Sequence, residues 1–348
     1  MRYLFITTYP PTHCGIASYA YQQVLALREQ GHFVDVVSVD GNGNVDFRWD
    51  LKGGFRLLKL LRLLPFYDRV VIQYHTAFFY RPEDGADCRR VSLSFLLLFW
   101  LGRRKVEVLC HEVPSAGPEK GHFSSFWYRW KWARCPKAIF HTAIESANFL
   151  TAFGLSPAGN RIEVRMHHAQ FRPFCRLSRP EARLRLGIGQ DALVFLSIGF
   201  IQHHKGFDRA MHAFVNADIA NGHYYVVGSL RLVHKEASDY LDELKTMARR
   251  HSNLHVVDQF LTDEEFDMWM LASDWVVLPY REIWSSSVLA RARLLRRPAI
   301  VSCVGGLPDQ AKDEALFFQN DFELVEIFRK VGECLTHEAP FKNENPNA

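Results

Sequence analysis

The sequence lacks several features that would settle its class at once. It has no C-x-x-C pair; its seven cysteines, at 14, 88, 110, 135, 175, 303 and 334, are odd in number and scattered. That spacing excludes a zinc knuckle and a disulfide framework and suits a reducing cytosol. No apolar run approaches the ~20 residues that span a bilayer. The longest, Val91–Leu101, reads as a buried helix or a segment dipping into a membrane interface. The apolar run Tyr3–Ile6 before Pro10-Pro11 is too short for a signal-peptide core and reads as a first strand. No G-x-G-x-x-G follows that strand, which counts against a dehydrogenase. A net charge of +4 without a concentrated basic face argues against a nucleic-acid partner.

What is present is a folded α/β protein. At 348 residues, with 48% hydrophobic and 23% charged residues, the chain is too long for one ordinary core. Tyr3–Thr7, the helical Ile16–Gln30 closed by Gly31, and His32–Val39 make a first βαβ unit. Further strands are legible at Arg69–Gln73, Val106–Leu109, Ala138–His141 and Ile162–Val164. Phe171–Pro180, with two prolines and no periodicity, reads as a linker, after which the pattern restarts at Leu193–Ile198. The expected division is an N-terminal domain at 1–170, a linker at 171–180, a second domain at 181–335 and a flexible tail at 336–348. In open parallel sheets ligands sit at the carboxyl ends of the strands, so two such domains would leave a cleft between them.

Asp274–Asp309 is the most informative stretch. It reads as strand, polar turn, helix, strand and glycine turn, with Ser285, Ser286 and Ser287 where the helix begins. Free N–H groups and the positive helix end suit that turn to a phosphate, although serines there also serve simply as caps. Lys205, in a loop between strand and helix, Arg231 beyond Gly228, and Arg281 in the serine turn fall at neighbouring strand ends. Singly each is an ordinary solvated charge; together with a helix N-terminus they suit a diphosphate. Adjacent histidines on an extended segment point to opposite faces, so His167-His168 and His203-His204 are poor metal clamps, and no metal is expected.

Phe123–Arg134 interleaves Trp127, Trp130 and Trp132 with Arg129 and Lys131. Such a mixture suits a membrane interface or stacking on a sugar, and equally an amphipathic core helix with a wet face. The basic, leucine-rich Arg56–Leu64 adds to the expectation of peripheral attachment to an anionic membrane surface.

The order Gly15-Ile16-Ala17, Gly31-His32, Lys205-Gly206, Val276–Pro279, Pro298 and Gly305-Gly306-Leu307-Pro308 resembles the retaining GT-B glycosyltransferases of glycosyltransferase family 4, over roughly residues 1 to 320. The resemblance implies an α/β GT-B architecture: two Rossmann-like, doubly wound domains facing a central cleft, the first for the acceptor and the second for a nucleotide-sugar donor. It implies metal-independent transfer of a sugar to a glycan or lipid-linked acceptor with retained configuration, as in surface polysaccharide or glycolipid synthesis. Gly15 would let the backbone approach the donor closely. His111 matches the histidine that contacts the donor sugar, and Lys205 would neutralise the diphosphate as the glycosidic bond breaks. Glu282 lies near the first glutamate of the family's E-x7-E pattern, and the amides of Ser286, Ser287 and Val288 would hold the distal phosphate. Gly199 and Gly228 end the strands that frame the donor.

The sequence also departs from that pattern. Phe200 stands where the family has arginine after the strand glycine, and the second glutamate of E-x7-E falls on Ala290 or Arg291 by the two ways of counting. Arg291, Arg231 or His203 would then supply a rearranged grip on the donor. The competing reading is a noncatalytic GT-B partner that binds nucleotide or glycan.

Overall fold

The computed structural model describes residues 1–81, 85–112, 126–156, 161–166, 171–231, 234–312 and 314–337. The chain divides into two compact units: Met1–Arg172 with Trp284–Ser287, and Pro173–Ile283 with Val288–Ala348.

The first unit is built on a sheet of seven strands: β1 (Arg2–Thr7), β2 (Phe33–Ser38), β3 (Phe47–Arg48), β4 (Arg69–Tyr74), β5 (Val106–Cys110), β6 (Ala138–Phe140) and β7 (Ile162–Val164). They lie in the order β3-β2-β1-β4-β5-β6-β7, and every pair is parallel. Registers such as Tyr3↔Val34 and Leu4↔Val70 set apolar residues side by side on both faces, the burial expected of a parallel sheet covered by helices. The covering helices are α1 (Gly15–Glu29), α2 (Thr76–Phe79), α3 (Gly85–Leu101), α4 (Phe126–Ala133) and α5 (Ala143–Phe153). α5 starts from a capping box, Thr142 accepting from Glu145 N–H and the Glu145 carboxylate accepting from Thr142 N–H, and it ends at left-handed Gly154. The chain leaves β1 toward β2 and β3, then returns to place β4 on the other side of β1, so the switch point lies at the carboxyl ends of β1 and β4.

The second unit repeats the plan with six parallel strands: β8 (Leu193–Ile198), β9 (Gly222–Gly228), β10 (Leu254–Asp258), β11 (Trp275–Leu278), β12 (Ala299–Ser302) and β13 (Ala315–Phe318). Their order, β10-β9-β8-β11-β12-β13, puts its switch point at β8 and β11. Around it pack α6 (Arg179–Leu186), α7 (Phe207–Ala217), α8 (Lys235–Arg250), α9 (Asp263–Ala272), α10 (Ser287–Leu294), α11 (Leu307–Ala311) and α12 (Asp321–His337). The core gathers all of β8 but Ser197 with Phe207, Met211 and Phe214 of α7 and Leu324 and Phe328 of α12.

Strand β8, helix α9 and strand β11 coincide with the strand Leu193–Ile198, the helix Asp263–Ala272 and the strand Trp275–Leu278 that the apolar periodicity predicts. Strands β3 and β13 and helix α12 have no counterpart in the sequence reading. The segment read as a linker without periodicity already contains the start of α6, where the Glu181 carboxylate accepts from the Ser178 N–H at 2.8 Å and its hydroxyl at 2.7 Å. Helix α12 runs to His337, so the expected tail begins inside it, and residues 338–348 lie outside the described residues, as do His167 and His168.

Candidate active site

In the second unit the loops after β8, β9 and β11 meet at the switch point. Gly206 closes a short 3-10 turn at His203–Lys205 and opens α7 at φ +62°; a Cβ there would stand 2.2 Å from the Pro279 carbonyl oxygen. Gly228 is as constrained, since its Cβ would stand 1.9 Å from the Gly199 carbonyl oxygen. Only glycine permits these approaches, and they draw the three strand ends together.

Lys205 is delivered to that edge. A Cβ added to Gly199 would come 3.4 Å from the Lys205 Nζ and 3.7 Å from Val288 in the first turn of α10. The ammonium therefore sits over the Gly199 backbone, next to a helix start. It donates to the Tyr280 hydroxyl at 3.4 Å and lies 5.0 Å from the Tyr280 ring centroid, with no ion pair to a carboxylate among the described residues. A cation beside a positive helix end and without a counter-ion is suited to an anionic ligand. Beside it, burial and then the Lys205 charge push the His204 imidazole below its ordinary range. Arg231 and Glu282 are exposed, Ser286 is buried, and Ser287 is the exposed first residue of α10.

Two arginines expected at the donor are committed elsewhere. Arg281 makes a bidentate pair with Asp208, at 2.8 and 2.6 Å, and donates to the His203 carbonyl at 2.8 Å. Asp208 also accepts from the Tyr240 hydroxyl at 2.7 Å, and hydrogen bonds from Arg281 and Tyr240 hold its carboxyl below the usual range against the effect of burial. Arg281 is thus a strut for the 203–208 loop. Arg291 is 8% exposed and buried against α9: Nε meets Asp267 Oδ1 at 2.6 Å and Nη1 meets Asp263 Oδ1 at 2.5 Å. Its Nη2 donates to the Asp263 carbonyl at 3.0 Å. Arg291 is thus turned into the core, where two α9 carboxylates bind it.

In the first unit, polar side chains collect at the carboxyl ends of β4 and β5. His111 follows β5, its backbone N–H donating to Tyr74 O at 3.0 Å. Its Nε2 hydrogen-bonds Gln73 Oε1, and Gln73 Nε2 donates to Gln23 Oε1 of α1. This chain makes Nε2 the protonated nitrogen of His111 and leaves Nδ1 as the acceptor. Tyr19 sits edge-on to both His111 and His141, at 5.3 and 5.4 Å between centroids. Burial, then His141 and His75, drive His111 well below its ordinary value, and burial pushes His141 down to about 4. Both imidazoles are neutral at pH 7, so they exchange hydrogen bonds rather than charge. At Gly15 an added Cβ would meet no protein atom within 4 Å, so packing within the protein does not require glycine there.

The aromatic segment is only partly a surface. Phe126 is 68% and Trp130 36% exposed and their rings stack at 5.8 Å, while Arg89 of α3 lies over Trp127 at 5.1 Å. Arg129 donates to Phe153 O at 2.9 Å. Lys131 and Trp132, expected at the membrane or acceptor, are buried instead, at 0% and 1% exposure. Tyr128, Lys131 and Trp132 share the helix face turned to the core, at spacings of three and four. Lys131 Nζ donates to the hydroxyls of Tyr80 at 2.9 Å and Tyr74 at 3.0 Å inside a cage of rings. The leucines of Arg56–Leu64 likewise turn inward at Leu57, Leu60 and Leu64. No helix among the described residues is long and apolar enough to cross a membrane.

Gln23, Gln73, His141, Tyr19 and Tyr280 escaped the sequence reading. Gln73 alone carried a signal, as a polar side chain inside the apolar strand RVVIQY.

No family model matches the chain. Among curated proteins, D-inositol 3-phosphate glycosyltransferase 1 of Catenulispora acidiphila is 27% identical over 183 residues, which are 50% of this chain and 43% of that protein. The chain thus spans less than half the length of this curated relative. Among solved structures, Anabaena HepE in complex with UDP-glucose superposes with a TM-score of 0.68 at 15% identity, over 97% of this chain and 91% of that one. Sucrose-phosphate synthase from Thermosynechococcus elongatus superposes with a TM-score of 0.67 at 14% identity, over 95% and 90%. Two parallel, helix-covered sheets of seven and six strands, matched nearly end to end by such proteins, make this a GT-B fold with two Rossmann-like units.

Proposed function

We propose that the protein is a retaining glycosyltransferase. It moves a hexose from a nucleotide-sugar donor to a glycan or lipid-linked acceptor in surface polysaccharide or glycolipid synthesis, without a metal. The observation that carries this reading is Lys205, whose ammonium lies over the Gly199 backbone at the β8/β11 switch point, beside the start of α10. Its named fold relative HepE, crystallised with UDP-glucose, supports a nucleotide-sugar donor.

In this reading the donor diphosphate is bound by Lys205, the amides of Ser286 to Val288, and Arg231, where Gly199 and Gly228 let the ends of β8 and β9 lie close together. The acceptor oxygen forms its bond to the anomeric carbon as the bond from that carbon to phosphate oxygen breaks. The acceptor proton passes to the departing phosphate, and both events occur on one face, which retains the configuration. Lys205 interacts most strongly as charge builds on the leaving diphosphate, so it lowers the barrier beyond aiding binding. His111 offers Nδ1 as acceptor to a sugar hydroxyl, Gly15 admits a ligand beside the backbone, and Glu282 is poised near the donor sugar. Phe126, Trp127 and Trp130, with Arg129, form the part of α4 available to a lipid-linked acceptor at the inner face of the membrane.

A noncatalytic GT-B partner is the second reading: the second glutamate of E-x7-E falls on Ala290 or Arg291 by the two ways of counting, and Arg291 is locked to Asp263 and Asp267. Calorimetric titration with UDP, ADP and GDP, followed by turnover of the corresponding nucleotide-sugars, separates the two. The expected result is binding of one nucleotide, weakened roughly 10- to 100-fold by Lys205→Ala, with slow hydrolysis of its sugar. Binding without any turnover favours the partner reading, and no binding to any nucleotide overturns the transferase and leaves only a partner that binds glycan.

A further inference from the structure

The second unit holds a hollow of about 860 Å3 far from Lys205 in the sheet. Its floor includes Trp275 and Ala299, the first residues of β11 and β12, and Leu316 near the start of β13. These are the amino-terminal ends of the strands, the opposite edge from the loops that carry Lys205 and Tyr280. Phe317, Ile327 and Val331 extend the apolar floor along β13 and α12. The volume falls within the ~300–1,000 Å3 typical of small-molecule sites.

The walls are cationic. Among the described residues, Arg179, Arg293, Arg296, Arg297 and Lys330 line the hollow against two carboxylates, Asp274 and Glu314. Glu314 is taken by a bidentate pair with Arg293, both contacts at 2.9 Å. Asp274 is shared by Arg179 at 2.5 Å and the fully buried Arg183 at 2.7 Å, and it also accepts from Val194 N–H. Among the described residues Arg297 makes no ion pair: it donates to the carbonyls of Leu295 at 3.2 Å and Ser273 at 3.4 Å, and Asp274, already shared by Arg179 and Arg183, attracts it without a hydrogen bond. Burial and the neighbouring Arg179 accordingly push its guanidinium below its ordinary value. Arg296, held at φ +53°, and Lys330 are exposed and make no ion pair among the described residues. A half-buried guanidinium with no carboxylate in direct contact among the described residues is costly, and an anion bound beside it would stabilise it.

We propose that this hollow is a binding site for a single-chain alkyl phosphate, its phosphate set against Arg297 and Arg296 and its chain lying on Trp275, Leu316, Phe317 and Ile327. The apolar floor selects a hydrocarbon. The surplus of planar guanidinium groups selects phosphate, whose two charges and three acceptor oxygens suit several arginines at once. The site does not depend on glycosyl transfer, and it stands or falls separately from the reading of Lys205.

Isothermal titration of the full chain with decyl phosphate tests it, with decanol and inorganic phosphate as controls. The expected result is saturable one-to-one binding of decyl phosphate and at least tenfold weaker binding of either control. Arg297→Gln should weaken decyl phosphate roughly 10- to 100-fold. Leu316→Glu, at a 39% exposed position, should weaken it by at least tenfold while the nucleotide titration stays unchanged. Should Arg297→Gln fail to fold, Arg296→Gln on the rim serves in its place. Binding of phosphate as tightly as decyl phosphate would reduce the site to a simple anion patch and overturn the proposal. So would binding that neither the head nor the tail variant alters, or no binding at all.

Discussion

Replacing Arg291 tests whether this residue is a structural lock or part of the donor site. The guanidinium is 8% exposed and makes charged hydrogen bonds to Asp267 at 2.6 Å and Asp263 at 2.5 Å, plus one to the Asp263 carbonyl. Asp267 is itself fully buried, and among the described residues its other oxygen accepts from the N–H groups of Phe174 at 2.6 Å and Cys175 at 3.3 Å. Arg291→Met keeps much of the side-chain volume but leaves a buried carboxylate without its cation. Breaking a buried pair from one side costs about 3–5 kcal/mol. With a urea slope of about 2 kcal/mol/M, the midpoint of the second unit should fall by roughly 1.5–2.5 M. Urea melts followed by circular dichroism, with hydrogen exchange on α9 and α10 to assign the transition, measure this. Pairing the change with Asp267→Asn should recover part of the loss, because the stranded charge is then gone. At low urea the surviving folded fraction should bind nucleotide as the parent does. A midpoint within about 0.3 M of the parent, or lost nucleotide binding at unchanged stability, would refute the argument and return Arg291 to the donor site.

Other outcomes follow from the same geometry. His141, with an ordinary value of 6.5 and a folded value of about 4, is held neutral by burial. The unfolded chain therefore binds the extra proton, and this site should remove about 3 kcal/mol of stability as pH falls from about 6.5 to about 4. His141→Leu should flatten that slope in melts across the range, and an unchanged slope would contradict it. Selective 15N spectra should show His111 with its proton on Nε2, and Gln73→Leu should mix the tautomers and leave Gln23 with a lost partner at a cost of about 1–3 kcal/mol; a parent spectrum with the proton on Nδ1 would refute the hydrogen-bond chain. In flotation with anionic liposomes, Phe126→Ser with Trp130→Ser should lower the bound fraction several-fold. A protein that stays wholly soluble before mutation would count against the membrane proposal. Lys131→Met should leave flotation unchanged; burial holds this amine well below its ordinary value, so the parent should lose stability as pH falls below about 10.5, and melts of the variant over that range should show a shallower slope.

The alternation of apolar runs with helical stretches determined, without any coordinates, that the chain is doubly wound twice. Strands β8 and β11 and helix α9 were legible to the residue, because buried parallel strands are continuous apolar runs and α9 begins with Thr262 and Glu265 in a capping box. The position of Lys205 was legible too, since a loop between strand and helix has nowhere to go but the carboxyl edge. Short β3 and β13 were not, because two to four residues carry no period. The tertiary structure alone decided what the charges do. Arg281, Arg291 and Lys131 look in sequence like ligand-binding or surface cations, yet Asp208, Asp263 with Asp267, and the hydroxyls of Tyr74 and Tyr80 claim them. Sequence spacing states which residues share a face of one element. Whether a cation there meets a carboxylate, a ring or an unfilled hollow depends on partners tens of residues away, and only folding brings those within hydrogen-bond reach.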